Sequence, residues 1–279
     1  VTTSTIGRGA VVVGVDGSPG ALLAVQWAAV EAAGRGLPMR LVNAIDPMAD
    51  AGIDPEGGRA AAESVLADAT RRARAALGPE LQIIDEIALT SPALGMAGGD
   101  GPVAMICLGS SGLRPARPGH HGSTATEVIL IADCPVAIVR GSVTRHGWVV
   151  AQVETDPSLF GVLELAVAEA VWRELPLRLV AGWNVDGDQL AEAERDLERR
   201  LRVSLDRWRQ RHRQLDVAVI AAPQLEEFLR SNAIRIRLFV GPRRRWHDVG
   251  TVLHPDVERA LRLLDCSVIV GADLTGFDV

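Results

Sequence analysis

The sequence predicts an α/β protein made of two tandem, doubly wound parallel sheets of five strands each, both in the order 3-2-1-4-5. Short apolar runs such as Ala10 to Val15 and Val103 to Leu108 carry no alternation, as strands buried on both faces require. These runs alternate with helical segments, so consecutive strands lie parallel and are joined by right-handed crossovers. The landmarks of the first half then recur in the second.

Residues 1 to 9 are small and polar without periodicity, a fraying end. Ala10 to Val15 is the first strand, and Asp16-Gly17-Ser18-Pro19 turns it into a helix running through Trp27 to about Gly34, with Ser18 as cap and Pro19 at its first position. Leu41 to Ile45 is the second strand. A loop rich in Asp, Pro and Gly, Asp46 to Gly58, leads to a helix over Arg59 to Leu77, stopped by Gly78-Pro79. Leu81 to Ile87 is the third strand. Ser91-Pro92 starts a short helix weakened by Gly95, Gly98 and Gly99, since an interior glycine costs about 0.5–1 kcal/mol relative to alanine. Val103 to Leu108 is strand four, Glu127 to Ala132 is helical and Pro135 to Val139 is strand five.

From Gly147 the plan repeats. Val149-Val150 to Asp156-Pro157 falls on Val11-Val12 to Ser18-Pro19 at an offset of 138, and the same offset sets Leu175-Pro176-Leu177-Arg178-Leu179-Val180 on Leu37-Pro38-Met39-Arg40-Leu41-Val42. Asp265-Cys266 falls on Asp133-Cys134 at an offset of 132, which also sets Gly241 on Gly109. A whole domain has been duplicated: residues 1–142 and 146–279, joined by a linker near Gly141 to Gly147. The charged segment Gln189 to Gln214 alternates signs at helical spacing and reads as a solvated helix.

Composition narrows the function. The 279 residues are 48% hydrophobic but only 4% aromatic, so two cores must be built from Ala, Val, Leu and Ile. A formal charge of -6 argues against nucleic acid or an acidic membrane as partner. No uninterrupted apolar stretch reaches the roughly 18 residues of a membrane span, and the expected location is the cytoplasm. Cys107, Cys134 and Cys266 are far apart in apolar surroundings and read as small core residues. Trp27, Trp148 and Trp172 read as packing residues, and Arg243-Arg244-Arg245-Trp246-His247 as a solvated loop.

The chemistry is concentrated in Gly109 to Thr124, between strand four and the helix after it. Backbone N–H groups and the helix dipole both favour an anion at such a turn, and glycines let the main chain approach it closely. The spacing is G-x-x-G-x9-G-[ST] over Gly109, Gly112, Gly122 and Ser123. It is not a Walker A loop, which needs a lysine that this chain nowhere contains. In the predicted sheet, strand one delivers Asp16 beside Gly109, at the switch point where ligands bind.

On these residues the sequence resembles the universal stress protein family, whose ATP-binding members carry this glycine spacing between their fourth strand and last helix. The resemblance covers both halves and implies a tandem member with an adenine nucleotide alpha hydrolase-like fold. It also implies ATP, with or without Mg2+, as cofactor. Asp16 and the backbone near Gly14 and Ala44 would hold adenine or ribose. Gly109, Ser110, Ser111, Gly112, Leu113, Arg114, Gly119, Gly122, Ser123 and Thr124 would hold the phosphates, with Val136 lining the pocket. Taken alone, Asp16 reads as a turn or helix-capping aspartate, and the full glycine pattern is what turns the reading to nucleotide binding. Arg114 and Arg117 either neutralise phosphate or are merely solvated, and His120 and His121 lack a partner that would make them catalytic. At the matching positions the second half has Glu154 for Asp16, Thr155 for Gly17, Arg244 for Gly112, His254 for Gly122 and Pro255 for Ser123, so its loop is degenerate.

The expected function is a regulatory module that binds one adenine nucleotide per chain, with a protein partner not identifiable from sequence. No lysine, general base or set of metal-binding carboxylates stands near the loop, which favours binding over turnover. A slow hydrolase or nucleotidyl-transfer enzyme, and a scaffold without nucleotide, are the competing readings. The fifth strand of each half is an apolar edge, so an internal pseudo-dimer through Pro135 to Val139 and Ser267 to Val270 is expected, with further homodimerisation left open. Val268→Glu should then loosen the halves, visible as two thermal transitions or cleavage near Gly141 to Gly147. A variant that stays compact and protease-resistant contradicts the pairing.

Overall fold

The computed structural model describes residues 9–48, 54–99, 101–110, 123–141, 146–153, 160–182, 187–222, 224–243 and 254–271. The chain divides into two units, Val1–Gly141 and Ser142–Val279. In the first unit β1 (Ala10–Gly14), α1 (Pro19–Arg35), β2 (Met39–Ala44), α2 (Pro55–Leu77), β3 (Ile83–Ala88), α3 (Pro92–Ala97), β4 (Val103–Gly109), α4 (Ser123–Ile131) and β5 (Val136–Val139) follow in turn. Their strands are all parallel and ordered β3-β2-β1-β4-β5. Val11, Val12 and Val13 on the central strand are wholly buried, as an unalternating apolar run predicts.

Local chemistry sets the helix ends. Ser18 Oγ accepts the Ala21 N–H at 3.2 Å, Pro19 opens α1, and Gly36 closes it at φ 64°. Within α1 the buried Glu31 accepts from Arg35 at 2.8 Å. The second helix starts at Pro55 rather than Arg59. Asp54 accepts the Gly57 N–H at 3.1 Å, so Gly57 and Gly58 sit in a capped first turn instead of a loop. The fourth helix likewise starts earlier than its apolar residues suggest, directly after the glycine stretch. In α3, a Cβ on Gly95 would lie 2.7 Å from Ala88 Cβ, so this glycine permits close approach to β3. The buried Arg40 on β2 closes the end of that helix, donating to Met96 O at 3.1 Å and Gly98 O at 2.6 Å.

The second unit runs β6 (Trp148–Gln152), α5 (Phe160–Arg173), β7 (Leu177–Gly182), α6 (Gly187–Arg211), β8 (Val217–Ala222), α7 (Leu225–Asn232), β9 (Ile236–Gly241), α8 (Pro255–Leu263) and β10 (Ser267–Val270). Its parallel order, β8-β7-β6-β9-β10, repeats that of the first unit. So does the fine detail. Val11 pairs with Met39 and Val149 with Leu177. The pair of buried Glu169 with half-buried Arg173 copies Glu31–Arg35, and Glu174 holds φ 54° where Gly36 stands in the first copy.

Two sequence expectations need correction. Val13 pairs with Cys107, while its copy Ala151 pairs with Val240. In register, Gly241 therefore stands at the position of Leu108, and Pro242 at that of Gly109. The offset of 132 holds for α4 and α8 but not for β9, because the intervening connection is one residue shorter in the second unit. The other correction concerns α6, which is not solvated all round. Leu201, Ser204, Leu205 and Trp208 recur at helical spacing and are buried, and Trp208 Nε1 donates to Glu164 at 2.9 Å. The charge alternation belongs to its other faces. Trp148 packs as expected, with the guanidinium carbons of Arg178 and Arg235 at 5.3 and 5.4 Å from its ring centre. No helix among the described residues is long and apolar enough to cross a membrane.

Candidate functional site

The carboxyl ends of β1 and β4 come side by side in the first unit, since Val13 pairs with Cys107. The two strands continue in opposite senses. The first leads into α1, which packs with α2, whereas α3 and α4 pack with each other. The strand order reverses between them, which leaves a crevice outside their carboxyl ends. Gly14, Gly109 and Ser110 are half-buried at its edge and Asp16 is exposed.

Each residue there has a local reason for its place. A carboxylate oxygen of Asp16 accepts the Ser18 N–H at 2.9 Å, so the turn role is present, and Gly17 takes φ 80°. A Cβ on Gly14 would lie 2.4 Å from Met96 Sδ and 3.0 Å from Leu108 Cδ2, so two apolar side chains close over it. A Cβ on Gly109 would lie 2.3 Å from the Gly20 carbonyl carbon and 2.7 Å from the Ala21 nitrogen. This glycine is required by backbone contact with the first turn of α1 whether or not a ligand binds. Ser110 donates its N–H to Val139 O at 3.2 Å. Donors for an anion must then come from elsewhere, and α4 starts at Ser123 with Thr124 half-buried, where the first N–H groups of a helix have no partner within the helix itself.

Ala44 ends β2 opposite Ala88 and is half-buried. Val136 is not brought to the crevice: it pairs with Ile106 and is wholly buried, and Val139 is the residue of β5 opposite Gly109. Ser111, Gly112, Leu113, Arg114, Arg117, Gly119, His120, His121 and Gly122 lie outside the described residues, as do Glu154, Thr155 and Arg244 to His247. Two contributors went unread in the sequence. Asn43 donates to Val15 O at 2.7 Å and ties the ends of β1 and β2 together; a lone amide inside an apolar strand was the signal. Met96, at the end of a glycine-rich segment, carried none.

Fold and crevice together define a doubly wound α/β protein of the kind that takes ligands at the ends of its parallel strands. The universal stress protein family model matches residues 8–140. Over 233 residues the chain is 35% identical to universal stress protein Rv2028c of Mycobacterium tuberculosis, covering 78% of this chain and 79% of the relative. It is 31% identical to universal stress protein Rv2624c of the same organism over 267 residues, 93% of this chain and 95% of the relative. The chain belongs to the universal stress protein family. A solved universal stress protein from Archaeoglobus fulgidus shares the fold over 96% of this chain and 97% of its own, with a TM-score of 0.71 at 16% identity.

Because Gly109 is explained by packing, Gly109→Ala should destabilise the nucleotide-free protein by about 1–3 kcal/mol, as overpacking does. Thermal unfolding without ligand reads this. An unchanged midpoint would mean that the contact with Gly20 gives way freely.

Proposed function

We propose that the chain is an ATP-binding regulatory module that holds one nucleotide in the first-unit crevice, with or without Mg2+, and offers its loaded and empty states to a protein partner. The observation that carries this is the position of the two ends of the glycine pattern. Gly109 ends β4 at the strand-order reversal beside β1, and α4 begins at Ser123, so the pattern spans a strand end and a helix start at the point where α/β sheets take ligands. Met96 and Leu108 against Gly14 provide an apolar floor suited to a base, and the start of α4 suits a phosphate. Ser111 to Gly122 would wrap the phosphates, with Asp16 directed to ribose or adenine. Family membership agrees with this reading. Conformational bias by bound nucleotide needs no turnover, so catalysis is not part of it.

The second unit serves here as scaffold. It has Gln152 at the position of Gly14 and Pro242 at that of Gly109, neither of which leaves an open backbone. Asp16→Ala and Gly112→Ala should each weaken ATP binding measured by calorimetry while the fold persists. For Asp16 the loss is that of a charged hydrogen bond, on the order of 1.5–3 kcal/mol. Glu154→Ala and Arg244→Ala should leave the affinity unchanged. Full affinity in both first-unit variants would remove the site assignment.

A further inference from the structure

In the second unit the corresponding crevice is filled from within. Where β1 ends on Gly14, β6 ends on Gln152, which is only 3% exposed. Its Nε2 donates to one carboxylate oxygen of Asp256, in the first turn of α8, and Arg259 donates to the other. The Asp256 N–H in turn donates to His254 Nδ1 at 3.3 Å, the cap of that helix. At matching positions the first unit has Thr124 for Asp256 and Gly122 for His254. Three substitutions thus act together: one supplies an anion, one a buried donor to it and one a cap.

We infer that the Asp256 carboxylate is an internal ligand of the second unit, standing where a nucleotide phosphate would be received and held by Gln152 and Arg259. An anion at a helix start gains from the dipole and from charge-assisted hydrogen bonds, and a side chain supplies it without any loss of ligand freedom. The surrounding packing has adjusted to match. A Cβ on Gly241 would lie 2.5 Å from Val257 Cγ2, so a larger helix residue (Ala125 in the first unit) meets a smaller strand residue (Leu108 in the first unit). The duplicated chain therefore pairs a unit that waits for its anion with one that carries its own. The inference rests on the proposed nucleotide site for its meaning, but its test does not.

Hydrogen exchange of the full chain without nucleotide, followed in peptides covering β6 and α8, reads the internal ligand directly. Asp256→Ala should speed exchange there about tenfold or more, the loss expected for a charge-assisted bond. Inorganic phosphate added to this variant should slow exchange again, whereas the unmodified chain should not respond in these peptides. Unchanged exchange in Asp256→Ala, no rescue by phosphate, or equal protection of the unmodified chain each overturns the inference. Should Asp256→Ala not fold, Gln152→Ala keeps the carboxylate and removes its buried donor. It should speed exchange without phosphate rescue, and unchanged exchange or rescue would overturn the inference. Failure of the unmodified chain to bind ATP in calorimetry counts against the first-unit site and leaves the exchange result standing.

Discussion

Parallel pairing of β1 with β4 decides where everything else in the first unit can go. Two neighbouring strands that lead to opposite faces must part at their carboxyl ends, and the gap cannot be closed by either connection. At its edge Gly109 lies against the backbone of Gly20 and Ala21, and Met96 and Leu108 cover Gly14. These are packing facts that hold with no ligand in place. The glycine pattern that follows adds a loop to a crevice the fold has already made.

Duplication shows how such a crevice is lost without loss of the fold. The second unit keeps the strand order, the registry of β6 with β7, the Glu169–Arg173 pair and even the left-handed residue after α5. The Glu169–Arg173 pair and Glu174 lie at the end of α5, away from the carboxyl ends of β6 and β9. At those ends Gln152, Pro242 and Asp256 differ from Gly14, Gly109 and Thr124, and the connection is one residue shorter. The rest of the core kept its pattern while these ends changed, and where the two meet the packing changed with them, as Gly241 against Val257 shows.

Much of this was legible in the sequence because it rests on local rules. Unalternating apolar runs marked the strands, and Ser18-Pro19 marked the start of α1. Starts hidden among glycines were harder: α2 begins four residues early because Asp54 caps it, and α3 tolerates Gly95 because Ala88 needs the space. The buried stripe of α6 was masked by its charges, which outnumber Leu201, Leu205 and Trp208. Asn43 and Met96 join the crevice through contacts across the fold, with Val15 and Gly14, which no local pattern specifies. The register of β9 could not be read, since the offset of 132 taken from Asp265-Cys266 and Asp133-Cys134 set Gly241 on Gly109, an alignment that sheet pairing does not follow.

Whether the first unit holds a nucleotide and the second does not is open to one direct measurement. Purified chain incubated with ATP, separated from excess and then denatured, releases whatever it holds, and mass spectrometry identifies and counts it. An adenosine phosphate at one per chain is the expected result. No nucleotide, or two per chain, would contradict it.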